Sequence, residues 1–428
     1  MEILVILAIL FGFILSYTPI PIALGLTAFL SFLFFGEAAI VLLGKGSFEY
    51  LNKFSFTAVL YFIIMGAIMT SGTSARRLIN FASSIVNFLP GGMAISVVAV
   101  CMLFGAISGS AIATLVAIGS VMVPAMIERG YKKDFAVGLV TSSAELGILV
   151  PPSIPMIILA LTINISVGRI FLAGYFPAVI FVTSYAVYCF FYARAKGMKR
   201  EKISSPWEIW KRFKESFGAL ILILVIAVGI YGGIFTATEA AAIGTVYAII
   251  LELLIYRSIP LKKMSRTIID ATVTVGPLMF IVVGASFFGE YLTMEMIPQR
   301  IMSMVIKNIT SPLIFLLMMN LFLLLVGMFV DMLSSIIIIS PVLMPIAAQF
   351  GIDPIHFAII YVFNMGIGYI TPPVGLDLYV SMGLFKVSLG KVVKACLPFF
   401  VILATDLVIV TYIPAVSLFL PNLLMGPG

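Results

Sequence analysis

One histidine, three cysteines and two tryptophans are all that 428 residues contain of these types, and only 10% of the chain is charged. A lone His356 cannot form a histidine cluster. Cys101, Cys189 and Cys396 sit in separate apolar runs without zinc-ligand spacing, which excludes a structural zinc site and a disulfide framework. The three thiols read as small buried hydrophobes. No P-loop, nucleophile elbow or HExxH helix is present, so the usual signatures of nucleotide, hydrolytic and metalloprotease chemistry are missing. The start, MEILVILAILFGFILSY, has no Lys or Arg ahead of its apolar run. Without a positive n-region it reads as a retained first span and not as a cleaved signal.

What the chain has in abundance is apolar surface: 62% of residues are hydrophobic and the mean hydropathy is +1.22. That is far above a soluble domain, and it predicts an all-α polytopic membrane protein. Apolar runs predict helices over 2–16, 19–35 and 56–71, and an amphipathic segment follows over 74–88. Two short runs come next, 93–107 and 111–127, then a broken run over 134–163 and a full span over 168–193. The basic stretch from Arg194 to Lys214 carries Trp207 and Trp210, which suits an amphipathic linker at a membrane interface. The same order then recurs: helices over 215–232, 236–256 and 272–292, an amphipathic segment over 295–309, short runs at 312–326 and 332–349, a broken run over 355–385, and a last span over 395–420.

Subtraction supports the recurrence. Pro124 and Pro345, Gly130 and Gly351, the pairs Pro151-Pro152 and Pro372-Pro373, and Pro177 and Pro398 all share the offset 221. Residues 1–200 and 201–428 therefore read as two repeats. Each has about five spans and one hairpin that does not cross (93–127 and 312–349), so the second must run opposite to the first. Charge agrees with this inverted topology: with the linker in the cytoplasm, twenty of the 25 Lys and Arg lie inside. Lys45, Lys53, Arg169, Arg300 and Lys307 remain outside, and both termini are expected outside. The net charge of +7 is then a consequence of topology, not of a nucleic-acid surface.

Two re-entrant hairpins of this kind place Ser108-Gly109-Ser110 and Asp331 to Ser335 near the membrane midplane, each beside a broken helix. Irregular backbone at that depth is tolerated where it lines an enclosed cavity. Its carbonyls and hydroxyls are hard ligands suited to Na⁺, and half-helix N-termini attract anions. One predicted Na⁺ site takes Ser108, Gly109, Ser110, Glu145, Gly147 and Pro151; the other takes Gly327, Asp331, Ser334, Ser335, Gly366, Gly368 and Thr371. An anion cavity between them is expected to draw on Ser108, Ser110, Pro152, Ser153, Asp331, Thr371, Pro373 and Asp377. Small residues also serve simply to pack helices closely, and Asp331 equally suits an N-cap. Asp406 has no evident partner in the sequence, and Glu239 reads as a helix-start acid.

The stretches GAISGSA, ELGILVPPSIP, SVGRIFLAGYFP, FTATEAAAIG, and GIDPIHF followed by TPPVG are spread over nearly the whole chain. Together they resemble the large membrane subunit of tripartite ATP-independent periplasmic (TRAP) transporters. The resemblance implies a Na⁺-driven importer of organic anions such as dicarboxylates or sialic acids, in a bacterial or archaeal inner membrane. It implies an elevator in which hairpins and broken helices slide against a scaffold. It also implies two partners, a small four-helix membrane subunit and a soluble periplasmic binding protein. The competing reading is an intramembrane enzyme using Glu145 or Asp331 as acid or base. It lacks a metal cluster or activated nucleophile to work with. A channel is less compatible with paired inverted hairpins.

Overall fold

The computed structural model describes residues 2–16, 18–35, 56–198, 204–297, 299–300, 303, 309 and 311–426. Every regular element among them is a helix: α1 (Glu2–Leu15), α2 (Ile20–Phe35), α3 (Thr57–Ser71), α4 (Ser74–Val86), α5 (Gly92–Ser108), α6 (Ala111–Glu128), α7 (Lys133–Ser143), α8 (Leu146–Leu149), α9 (Ile154–Thr162) and α10 (Val167–Ala195). The rest are α11 (Pro206–Tyr231), α12 (Ala237–Ile250), α13 (Leu261–Met294), α14 (Pro312–Gly327), α15 (Met332–Gln349), α16 (Pro354–Tyr369), α17 (Leu376–Phe385), α18 (Leu389–Tyr412) and α19 (Ala415–Met425). Among the described residues six helices are long and apolar enough to cross a membrane, or eight if two bent pairs each count as one span, and the six include α6 and α15, which the hydropathy reading took as runs too short to cross. Those pairs are α3 with α4, bent by 70°, and α7–α8 with α9, bent by 42°.

The helix starts follow from capping chemistry. Ser110, Ser153, Ser166 and Ser205 each accept a backbone N–H of the first turn, and Thr236 with Glu239 forms a capping box. Glu239 is thus the helix-start acid its position predicts. Three boundaries differ from the hydropathy reading. Ser205 and Pro206 start α11 well before 215, so both tryptophans lie within its first turns and not in a loop. Helix α13 begins at Leu261, because KKMSRTIID continues the helix on polar residues that hydropathy discounts. The last span divides into α18 and α19, since Pro414 lacks an N–H and keeps Ile413 out of the helical conformation. The segment 295–309 lies mostly outside the described residues, as do Lys45, Lys53, Lys199, Arg200, Lys202 and Lys307.

Packing pairs the elements across the chain. Helix α3 lies along α12, α13 along α2, α18 along α7 and α14 along α16. Helix α9, from the first half, packs on α15, and α17, from the second, packs on α6. These two exchanges relate positions about 221 residues apart. Close approaches repeat at the same interval: a Cβ on Gly105 would lie 2.8 Å from the Gly147 Cα, and one on Gly327 3.1 Å from the Gly368 Cα. Only glycine allows backbones to meet so closely. The Ile154 N–H donates to the Gly109 carbonyl at 3.2 Å, and the Gly375 N–H to the Met328 carbonyl at 3.4 Å. Each hairpin turn is thereby tied to the second piece of its own broken helix.

Glu252 forms a joint that hydropathy does not reveal. It is wholly buried, in a short π-helical continuation of α12, and accepts from the Thr73 and Ser74 N–H groups and from the Ser74 and Ser258 hydroxyls. The carboxylate thus pins the α3–α4 elbow to α12, and Gly72 is needed there because a Cβ would meet the Glu252 carboxyl carbon at 2.2 Å. Arg77, donating to the Glu215 carbonyl and lying over the Tyr256 ring, ties α4 to α11.

Candidate ion and substrate site

The turn between α5 and α6 is built on Gly109, whose φ of +61° favours a residue without a side chain. A Cβ there would also stand 2.8 Å from the Pro152 carbonyl oxygen. Around this turn three oxygens gather. The Ser108 and Thr114 hydroxyls are 2.9 Å apart, Thr114 Oγ1 donates to the Ser110 carbonyl at 2.8 Å, and Ser108 Oγ lies 3.3 Å from the same carbonyl. Gly147 closes the group from below: a Cβ on it would lie 2.5 Å from the Ser110 oxygen and 2.6 Å from Thr114 Oγ1. This is a compact, neutral, hard-oxygen cluster of the kind a monovalent alkali cation takes. Thr114 was not apparent from the sequence, being one threonine in an apolar helix. Its position one turn after the Ser110 cap is the signal that marks it.

Glu145 does not join that cluster. Its carboxyl faces Gly366, where a Cβ would lie 3.1 Å from Oε2, and it neighbours the Asp377 carboxyl. Glu145 and Asp377 are 3% and 0% exposed, and among the described residues no hydroxyl, amide or cation reaches any of their four oxygens. Two neighbouring carboxyls buried away from water favour a shared proton or a cation over two negative charges. Sequence reasoning placed these residues in an ion site and an anion cavity respectively; the structure joins them to each other. Gly366 accordingly faces Glu145 and Ile148, not the second turn.

At the second turn, Gly327 and Gly368 touch, and Asp331 caps α15 by accepting the Ser334 N–H at 3.0 Å. Ser335 shares a 2.6 Å hydrogen bond with the Tyr361 hydroxyl, while the Ser334 hydroxyl is buried without a partner. Thr371 is turned onto its own helix, donating to the Ile367 carbonyl at 2.6 Å. The second proline pair is solvent-exposed, whereas Pro151, Pro152 and Ser153 are buried. Asp406, without a partner in the sequence, accepts from Ser184 at 2.7 Å.

A cavity of about 580 Å³ opens beside the first turn. Ser108 to Ala113, Ile148, Ile154 and Pro155 form one wall, α3 and α13 supply Thr70, Ser71, Thr267, Asp270 and Thr274, and Leu333 and Tyr369 reach in from the second turn. Of the residues expected to line an anion cavity, Ser108 and Ser110 do. Pro152, Ser153, Asp331, Thr371, Pro373 and Asp377 are not part of its lining. The α13 wall went unnoticed in the sequence, although Thr267, Asp270 and Thr274 recur at helical spacing on one face. The N–H groups of Ala111 and Ile112, at the start of α6, bond to nothing among the described residues. The positive end of α6 is therefore free toward the cavity, while that of α15 already has the Asp331 carboxylate.

Residues 7–416 match the family described as "Tripartite ATP-independent periplasmic transporter, DctM component". The C4-dicarboxylate TRAP transporter large permease protein DctM of Pseudomonas aeruginosa is 41% identical, over 94% of each chain. Its Vibrio cholerae counterpart is 38% identical over 100% of this chain and 99% of the relative. The sialic acid TRAP transporter permease protein SiaT of Haemophilus influenzae is 34% identical over 88% of this chain and 61% of its own length. Among solved structures, the YdaH transporter of Alcanivorax borkumensis matches with a TM-score of 0.65 at 12% identity, over 86% of both chains, which is a likeness of fold. With a match across almost its entire length, the chain belongs to the DctM family of TRAP large permease proteins, multi-pass transport proteins of the inner membrane that handle organic acids and are not enzymes.

Proposed function

We propose that this chain is the membrane subunit that carries a small organic anion inward on a Na⁺ gradient. The observation behind this reading is the juxtaposition at the α5–α6 turn: an oxygen cluster suited to Na⁺ stands directly beside a cavity onto which an unoccupied helix N-terminus opens. The cation and the anion would thus sit on two faces of one turn, and each lowers the electrostatic cost of the other. A second Na⁺ position is proposed at the Gly327–Gly368 contact, where the Ser334 hydroxyl is left over.

The exchange of α9 with α15 and of α17 with α6 supports an inverted repeat, in which each half completes the other. On this reading the hairpins α5–α6 and α14–α15 enter from opposite sides, both termini lie outside, and the hairpins with their broken helices slide as one body past α3 and α13. A separate small membrane subunit extends the fixed part, and a periplasmic binding protein delivers the anion. An intramembrane acid–base role for Asp331 is disfavoured by its use as a cap. The test is uptake into proteoliposomes holding this chain and the small subunit, with the binding protein outside. Uptake should require an inward Na⁺ gradient, and uptake that ignores Na⁺ would end the proposal.

A further inference from the structure

The charge of the cavity lining is unusual for an anion site. Among the described residues no Lys, Arg or His lines it, and the one ionisable carboxylate in that lining, Asp270, has the same sign as the cargo. Asp270 sits on α13. Arg266, one turn earlier, is 3.9 Å away and both side chains are largely solvated, at 85% and 70% exposure, so the pair leaves most of the acid's field in place.

Around Asp270 the wall is rich in hydroxyls. The Ser71 and Thr267 hydroxyls have no hydrogen-bond partner among the described residues, the Ser71 carbonyl accepts from Lys263 Nζ at 3.4 Å, and Thr70 and Thr274 donate to their own helices at 2.7 and 2.9 Å, which leaves their hydroxyl oxygens free to accept. Tyr369 accepts the Met332 N–H at 2.9 Å, so its own proton is available to the cavity. The carboxylate-binding end is elsewhere, at the free Ala111 and Ile112 N–H groups of α6. The cavity is therefore polarised, with donors and a positive helix end on one wall and acceptors with a negative charge on the other.

We propose that Asp270 makes this cavity select an anion with a single carboxylate and a hydroxylated far end. The carboxylate takes the start of α6, and hydroxyl hydrogens donate to Asp270 while Thr267 and Ser71 exchange hydrogen bonds with the remaining hydroxyls. A second carboxylate at that end would face Asp270, because neither Arg266 nor Lys263 is part of the cavity lining. This selection rests on the cavity being the substrate site, and it narrows the organic anions of that reading to hydroxylated monocarboxylates.

The experiment titrates the purified full-length chain, in detergent at saturating Na⁺, with gluconate, butyrate and succinate, following ligand-induced thermal stabilisation. Gluconate should bind most tightly, and succinate at least about fivefold more weakly, the effect of two unit charges facing each other a few ångströms apart in water. Asp270→Asn should move the two in opposite directions, tightening succinate and weakening gluconate. Thr267→Ala should weaken gluconate and leave butyrate unchanged, and it carries the same test if Asp270→Asn does not fold. Succinate binding as tightly as gluconate, or Asp270→Asn shifting both the same way, would overturn the selection while leaving organic-anion transport intact. If none of the three anions stabilises the chain at any Na⁺ concentration, the transport reading itself fails, and the selection with it.

Discussion

A single methyl at position 147 would enter the space between the Ser110 carbonyl and the Thr114 hydroxyl, both closer than any real carbon could approach. Gly147→Ala should therefore push those oxygens apart and raise the Na⁺ concentration for half-maximal uptake about tenfold, while transport at saturating Na⁺ partly recovers. Gly390→Ala, where nothing lies within 4 Å, is the matched control. Identical Na⁺ curves for both variants would remove Gly147 from the ion site. The Glu145–Asp377 pair makes a different prediction, because each carboxyl has only the other. Glu145→Ala leaves Asp377 buried with no partner and should cost about 1–3 kcal/mol, whereas Glu145→Gln keeps a hydrogen-bond donor and should cost little. Thermal denaturation in detergent measures both, and an equal loss would show that the pair does not stabilise through its contact.

The elements were legible in the sequence wherever an apolar run met a proline, a glycine or a capping hydroxyl. Helices α5, α6, α14 and α15 lie close to the predicted bounds, because Ser110 and Asp331 start α6 and α15 by local chemistry. What stayed hidden was contact between distant residues: Glu252 clamping the α3–α4 elbow, Asp377 reaching Glu145, and the polar face of α13 opposite the first turn. Hydropathy registers an acid in a span without naming its partner, and it undervalues a helix that alternates polar and apolar faces, as α13 does at its start. The element order carries a topological prediction as well. Single cysteines at Lys211 and Lys391 should be protected from a membrane-impermeant thiol reagent in intact cells, and one at Gln299 should react. The three native cysteines are buried and add little background. Labelling of all three positions would refute the opposed orientation of the two halves.

At the scale of the whole molecule the question raised by the proposed sliding mechanism is what would resist the motion. If the hairpins slide past α3 and α13 as proposed, those helices must stay in place, and within this chain α13 is braced chiefly by α2 and α3, with α1 resting on α2. That is a thin wall. Beside it α11 and α12 expose large apolar side chains, among them Leu224, Val228 and Val246. Lipid resists shear poorly, so a second helical chain seated on this scaffold would keep the moving body's displacement from being absorbed by its frame. The chain reconstituted alone should bind anion and Na⁺ yet transport at a small fraction of the full rate, and adding the small membrane subunit should restore uptake without changing the Na⁺ concentration at half-saturation. Removing residues 1–15, which deletes α1, should weaken the association of the two chains and leave ligand-induced thermal stabilisation unchanged. Full-rate uptake by the chain alone, with no second membrane polypeptide in the liposome, would show that α1, α2, α3 and α13 suffice as the fixed frame.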